Sequence, residues 1–115
     1  MNTTDIGKKG EEIAVEYLKN RGYSIIAVNF KAAGGEIDII AKKDGCIAFV
    51  EVKTRKTSKF GYPSEAVDYF KQQKIIRVAK AFIAKYTDYE VVSFDVCEVY
   101  TAERRINYIE NAFDA

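Results

Sequence analysis

The sequence predicts an α/β domain with a mixed central sheet flanked by helices. Three observations lead there. Apolar runs with the alternation of strands recur in the first half and again near the end of the chain. An Asp44-Gly45 pair joins two of these runs, the strongest short signal for a hairpin. Two further stretches repeat apolar residues at helical spacing, and the faces they create need a sheet to cover. The order reads α-β-β-β-α-β-β. At 115 residues the chain is long enough for one domain, residues 1–115, and no linker, repeat or low-complexity segment divides it.

Asp5 can cap the first helix, which runs to about Asn20 with Ile6, Ile13, Ala14, Tyr17 and Leu18 on one face. Gly22 is a natural stop. Tyr23 to Phe30 alternates weakly and makes the first strand. Ala32-Ala33-Gly34-Gly35 turns the chain. Glu36 to Ala41 and Ile47 to Lys53 are the arms of the hairpin. Asp68 can cap a long second helix to about Tyr86, with Ile75, Ile76, Ala79, Phe82, Ile83 and Tyr86 as its buried stripe. Tyr89 to Tyr100 is a long strand, and Asp95 within it reads as structural or as the partner of a basic group. Thr101 to Arg104 turns, Arg105 to Ile109 is a short last strand, and Glu110 to Ala115 is expected to fray.

Composition narrows the chemistry. Apolar residues make up 48% of the chain, enough for a core, and the net charge of +1 says little about partners. With no histidine, a histidine base, a Ser-His-Asp triad and histidine-based zinc sites are excluded. Cys46 and Cys97 form no CxxC pair and no disulfide framework, which suits small core residues in a reducing cytoplasm. No apolar run reaches the roughly 18 residues of a membrane span, and the polar start, Met1 to Asp5, resembles no signal segment.

The hairpin concentrates the charges of interest. Strand alternation puts Glu51 and Lys53 on one face of the second arm, and Glu36, Asp38 and Ile40 on one face of the first. If Asp44-Gly45 joins the arms directly, facing residues have numbers summing to about 89. Asp38 then lies near Glu51, and Lys53 near Glu36. Two readings fit. In one, these are cross-strand ion pairs at a sheet margin, each contributing about 0.2–1 kcal/mol. In the other, Asp38 and Glu51 ligate a hard cation such as Mg²⁺, and Lys53 holds a water or balances charge on a phosphate.

Basic residues surround this stretch. Lys53, Arg55, Lys56 and Lys59, with Thr54, Thr57 and Ser58, read either as a phosphate-contacting loop or as a solvated one. Phe60-Gly61-Tyr62-Pro63 adds a bend and two aromatics that could stack on a base or pack on the domain. Lys71 and Gln72 continue the buried stripe of the second helix into its first turn, so both can point toward the acidic end of the sheet. Lys74, Arg77 and Lys80 lie on the outer side, as a stripe for a phosphate backbone or as ordinary solubility charges. Glu11 borders the buried face of the first helix, whereas Glu12 points outward.

Asp38 followed by a turn, a strand and Glu51-Val52-Lys53 resembles the signature of the PD-(D/E)xK nucleases, with Ile37-Asp38 in place of Pro-Asp. The chain is more closely similar to the YraN family of small bacterial proteins, which resembles the Holliday-junction resolvases among those nucleases. The matching pieces are Gly7-x-x-Gly10-Glu11-x-x-Ala14 with Tyr17-Leu18, then Asn29, Gly35-Glu36-Ile37-Asp38, Phe49 to Arg55 and Phe60-Gly61-x-Pro63. Lys71, Lys74 and Phe94-Asp95-Val96 follow, so the pieces span nearly the whole chain.

The resemblance implies a restriction-endonuclease-like fold, with an αβββαβ core and an extra C-terminal edge strand. It implies a metal-dependent endonuclease acting on DNA, with branched or junction DNA as one substrate. Asp38 and Glu51 would be ligands of Mg²⁺ or Mn²⁺, and Glu11 would be a further metal ligand or would orient the site from just outside it. Lys53 would hold the nucleophilic water, Gln72 or Lys71 would place water or phosphate, and Arg55, Lys56, Lys59, Lys71 and Lys74 would hold the nucleic acid. A second class is a nucleic-acid-binding module of the same fold without turnover. A third is an interaction module that dimerises through an edge strand such as residues 105–109, which is compatible with either of the others. No base-reading motif is visible, so recognition is expected to follow shape.

Overall fold

The computed structural model describes residues 3–56, 67–86 and 91–115, with side chains from Gly7 onward in the first of these segments. The elements are α1 (Thr3–Asn20), β1 (Ser24–Ala32), β2 (Gly35–Lys43), β3 (Cys46–Arg55), α2 (Tyr69–Tyr86), β4 (Val91–Tyr100) and β5 (Arg105–Phe113). The strands form one sheet in the order β1-β2-β3-β4-β5. β3 and β4 run parallel and every other neighbouring pair is antiparallel, so the sheet is mixed as expected. The parallel pair needs a crossover, and α2 lies within it. The α-β-β-β-α-β core and the added final strand match the expected fold.

Each helix covers one face. Ala14 and Leu18 of α1 pack with Ile39, Ala41, Ala48, Val50, Cys97 and Val99. Ile75, Ile76, Val78, Ala79 and Phe82 of α2 pack with Ile37, Ile40, Ile47, Phe49, Phe94 and Val96 on the other. α1 ends in a Schellman motif. Gly22, at φ 90°, donates to Lys19 O, and Tyr23 N donates to Leu18 O, both at 3.0 Å. α1 begins two residues before the cap expected at Asp5.

Both hairpin turns are tight. Ala33-Gly34 and Asp44-Gly45 have positive φ at both central residues, as a type I′ turn requires. Beyond Asp44-Gly45 the pairs run from Lys43–Cys46 to Ile39–Val50, the register expected from the sequence. At the other turn, Gly35 is needed for lack of a side chain. A Cβ there would come within 2.8 Å of Val78 Cγ2, so only glycine lets α2 sit this close to β2.

Two expectations need correction. Glu36 does not turn to Lys53. It faces Lys31 across β1 at 3.9 Å, because the β2–β3 ladder ends at Ile39–Val50 while the β1–β2 ladder continues to Ala32–Gly35. The last strand is longer than expected and runs to Phe113. Phe113 stacks on Phe94 with ring centroids 5.1 Å apart, and Asn111, at φ 51°, realigns the strand so that its N–H reaches Asp95. The ring contact and the hydrogen bond give the segment a reason not to fray.

Candidate functional site

The sequence places Asp38 and Glu51 one step past the end of the β2–β3 ladder, and there the strands part. Val52 N, which would otherwise need a backbone partner, donates instead to Asp38 Oδ2 at 2.8 Å. This fixes the Asp38 carboxyl between the strands. Glu51 follows Phe49 on the α2 face of β3 and is only 7% exposed. The Asp38 carboxyl is pushed up from 3.8 to about 7. Burial contributes most and the charge of Glu51 next. The Val52 N–H pulls the other way, while Glu11 and a hydrogen bond with Glu51 add to the rise. Two acidic groups are thus held together in partly dry surroundings.

Glu11 comes near enough to Asp38 for its charge to be felt there, and α1 lies close to β3. A Cβ on Gly10 would fall 1.9 Å from Thr54 Oγ1. The glycine before Glu11 is therefore a packing requirement, and it brings the helix down onto the strand that carries Glu51. Asn29 of β1 then donates from Nδ2 to Glu11 Oε1 at 3.1 Å. Asn29 sits at φ 53°, a conformation that asparagine tolerates better than most residues. The pairs on either side of it, Val28–Ile39 and Phe30–Ile37, put Asn29 opposite Asp38. The sequence contained Asn29 among the matching pieces but gave it no role. The missed signal was an asparagine interrupting the apolar run from Ile25 to Phe30.

The first turn of α2 supplies the cations. Asp68 caps the helix as expected, accepting from Lys71 N at 2.9 Å. Lys71 then extends to Glu51, with Nζ 2.6 Å from Oε1. Burial pulls the Lys71 ammonium down, but the hydrogen bond and charge of Glu51, with Asp38 and Asp68, outweigh it, and the net shift is upward. Gln72 does not join this contact. Its Nε2 donates to Val67 O at 2.7 Å, tying the start of the helix to the segment before it. Lys74 stands exposed further along.

Lys53 is half-buried two residues beyond Glu51, and Arg55 and Lys56 are exposed at the end of β3. Their backbone is anchored, since Arg55 O and Lys56 O accept from Thr101 N and Ala102 N at 2.9 Å. Lys59 and the Phe60 to Pro63 stretch lie outside the described residues. Beside Lys53 in the parallel ladder is Glu98, which is 1% exposed. Its Oε1 accepts from Asn107 Nδ2 at 2.7 Å, and its Oε2 is buried with no hydrogen-bond partner among the described residues. The sequence reading passed over Glu98, although an acid within Val96-Cys97-Glu98-Val99-Tyr100 was the signal.

The donor set suits a hard cation through two carboxylates, Asp38 and Glu51, the number Mg²⁺ commonly takes from protein. Among the described residues no three acidic or cysteine side chains converge as a ready metal group. Glu11 Oε1 is already engaged by Asn29, which donates to it from Nδ2.

Residues 10–99, which include all of these acids, match the profile described as Uncharacterised protein family UPF0102. The chain belongs to the UPF0102 family. This is the YraN family to which the sequence motifs pointed. A UPF0102 protein of Clostridioides difficile (strain 630) is 49% identical over 114 residues, covering 98% of this chain and 100% of that one. A UPF0102 protein of Caldicellulosiruptor saccharolyticus is 48% identical over 118 residues, with 98% and 100% covered. One of Persephonella marina is 43% identical over 109 residues, with 94% and 92% covered. Among solved structures, an XisH family protein from Nostoc punctiforme superposes with a TM-score of 0.47 at 12% identity, covering 87% of this chain and 98% of that one. No helix among the described residues is long and apolar enough to cross a membrane.

Proposed function

We propose that this UPF0102 protein is a metal-dependent endonuclease that hydrolyses phosphodiester bonds in DNA. One observation carries the reading: Asp38 and Glu51 are held together at the open end of a hairpin, with Lys71 drawn onto Glu51 at 2.6 Å. Holding two carboxylates side by side costs stability, and such clusters are characteristic of sites that bind cations.

Asp38 and Glu51 would hold Mg²⁺ or Mn²⁺, which when bound supplies neutralisation of phosphate charge and a more acidic water. Lys53 leaves β3 on the same face as Glu51 and orients the attacking water or balances charge at the phosphate oxygens. Lys71 balances Glu51 and takes the positioning role that the sequence left open between it and Gln72. Glu11, steered by Asn29, stands behind Asp38. Arg55, Lys56 and Lys74 hold the backbone of the substrate.

A second reading is a binding module of the same fold without turnover. It is favoured by Lys71, which already occupies the Glu51 oxygen that a cation would use. Labelled duplex, single-stranded, flap and four-way-junction DNA, incubated in Mg²⁺, Mn²⁺ or EDTA beside Asp38→Asn, separates the two. Cutting that needs metal and is lost in the variant supports the nuclease, by a factor exceeding the roughly 10–100-fold typical of an outer partner. Binding without cutting, unchanged by EDTA or Asp38→Asn, favours the module.

A further inference from the structure

We infer that Tyr69 and Phe70 form a stacking platform for unpaired bases beside the carboxylate pair, so that the substrate is nucleic acid with a single-stranded segment. The inference rests on the proposed function and narrows its substrate. Tyr69 is 66% exposed and Phe70 79%, the two highest values among the large apolar side chains of the described residues. Their rings meet edge to face with centroids 6.0 Å apart, so two differently oriented aromatic surfaces face solvent at one point. The buried stripe of α2 begins only at Ile75, and neither ring belongs to either core cluster. Among the described residues these two adjacent aromatics lie outside the packed core.

Their surroundings indicate the occupant. Phe70 is followed directly by Lys71, whose ammonium is bound to Glu51, so the platform adjoins the site. On the helix surface Phe70 lines up with Lys74 and Arg77, both exposed. Arg77 is held there by its bond to Ala33 O at 3.1 Å. α2 reads YFKQQKIIRVAKAFIAKY, with several basic residues and no acid. An uncovered aromatic pair at the head of an all-positive helix is complementary to a chain of phosphates with open base faces. In a duplex those faces are hidden in the stack, whereas a single strand, overhang or flap presents them.

The test measures binding of fluorescein-labelled single strand, blunt duplex and flapped duplex in EDTA and again in Ca²⁺. Wild type is compared with Tyr69→Ala/Phe70→Ala and with Phe70→Trp, and sedimentation is run on each. The double variant is expected to keep its melting temperature and to lose about tenfold or more on single strand and flap. Its affinity for blunt duplex should change by less than about twofold, while Phe70→Trp retains wild-type binding. A 2-aminopurine in the flap should be quenched by wild type and not by the double variant. Equal losses on all probes, or none, overturn the inference and leave the nuclease reading in place. So does conversion of a dimer to a monomer with unchanged nucleic-acid affinity, which would make the patch an interface between copies. Failure of wild type to bind any probe in either buffer overturns both readings.

Discussion

Asp38 and Asp95 sit in one sheet and are treated in opposite ways. Asp95 is 1% exposed, and neutral donors converge on it. Ser93 Oγ donates to Oδ1, Tyr108 OH to Oδ2 at 2.5 Å, and Asn111 N to Oδ1 at 3.0 Å. Burial and the bond to Asp95 raise the Tyr108 phenol above its ordinary value. No basic group figures among these partners, so of the two expectations for Asp95 the structural one holds. Among the described residues Asp38 accepts one backbone N–H, lies against Glu51 and feels the charge of Glu11. A carboxylate supplied with donors ties β4 to β5. A carboxylate pressed on another leaves a charge problem that a bound cation can solve.

That contrast can be broken most forcefully from the Asp95 side. Asp95→Ala leaves the Tyr108 hydroxyl and the Asn111 N–H without their acceptor in a closed environment. The expected loss is about 3–5 kcal/mol, read as a fall of more than about 10 °C in melting temperature. A loss under about 1 kcal/mol would remove Asp95 as the structural member of the pair.

Gly10→Ala comes next. The added methyl meets Thr54 Oγ1 at 1.9 Å, so the helix must shift at a cost of about 1–3 kcal/mol. Thr54→Ala in the same chain should recover part of the stability. If Gly10→Ala instead leaves melting unchanged, the close approach that positions Glu11 is not needed.

The smallest effect, and the one of opposite sign, belongs to Asp38→Asn. The folded carboxyl holds its proton up to about 7, against 3.8 for an ordinary one. In EDTA the folded state therefore binds more protons than the unfolded state across that window, and stability falls as pH rises through it. Asp38→Asn should gain about 1–2 kcal/mol at pH above 7, after allowance for the partial exposure of the site, and lose that advantage toward pH about 4. Denaturant unfolding at the two extremes measures it, and a variant less stable than wild type above neutral pH would contradict the repulsion.

Local chemistry made most of the fold legible. Asp44-Gly45 gave the register that brings Asp38 to Glu51, because a two-residue turn leaves no freedom in the pairing. Asp68 marked the start of α2 through its cap, and Gly22 the end of α1. What the sequence concealed depends on tertiary contacts. Glu36 was aimed at Lys53 by extending the ladder past the point where Asp38 takes over a backbone donor. Lys71 and Gln72 could not be separated by helical phase alone, and the difference is that Gln72 finds Val67 O. The turn of the backbone into the left-handed region at Asn29 and the realignment of β5 at Asn111 each rest on a single residue, which carries no periodic signature.

The Asp44-Gly45 turn also governs where this chain can change its length. A strand has only two phases, and one residue inserted at the turn and absorbed into β3 would swap them. Glu51 would then rotate from the α2 side to the α1 side, away from Lys71, with the composition almost unaltered. Between Ile39 and Val50 the spacing acts as a phase lock. The β4–β5 turn at Thr101 to Arg104 lies outside that lock. Drift in length that would erase the carboxylate pair at one loop is geometrically harmless to it at the other.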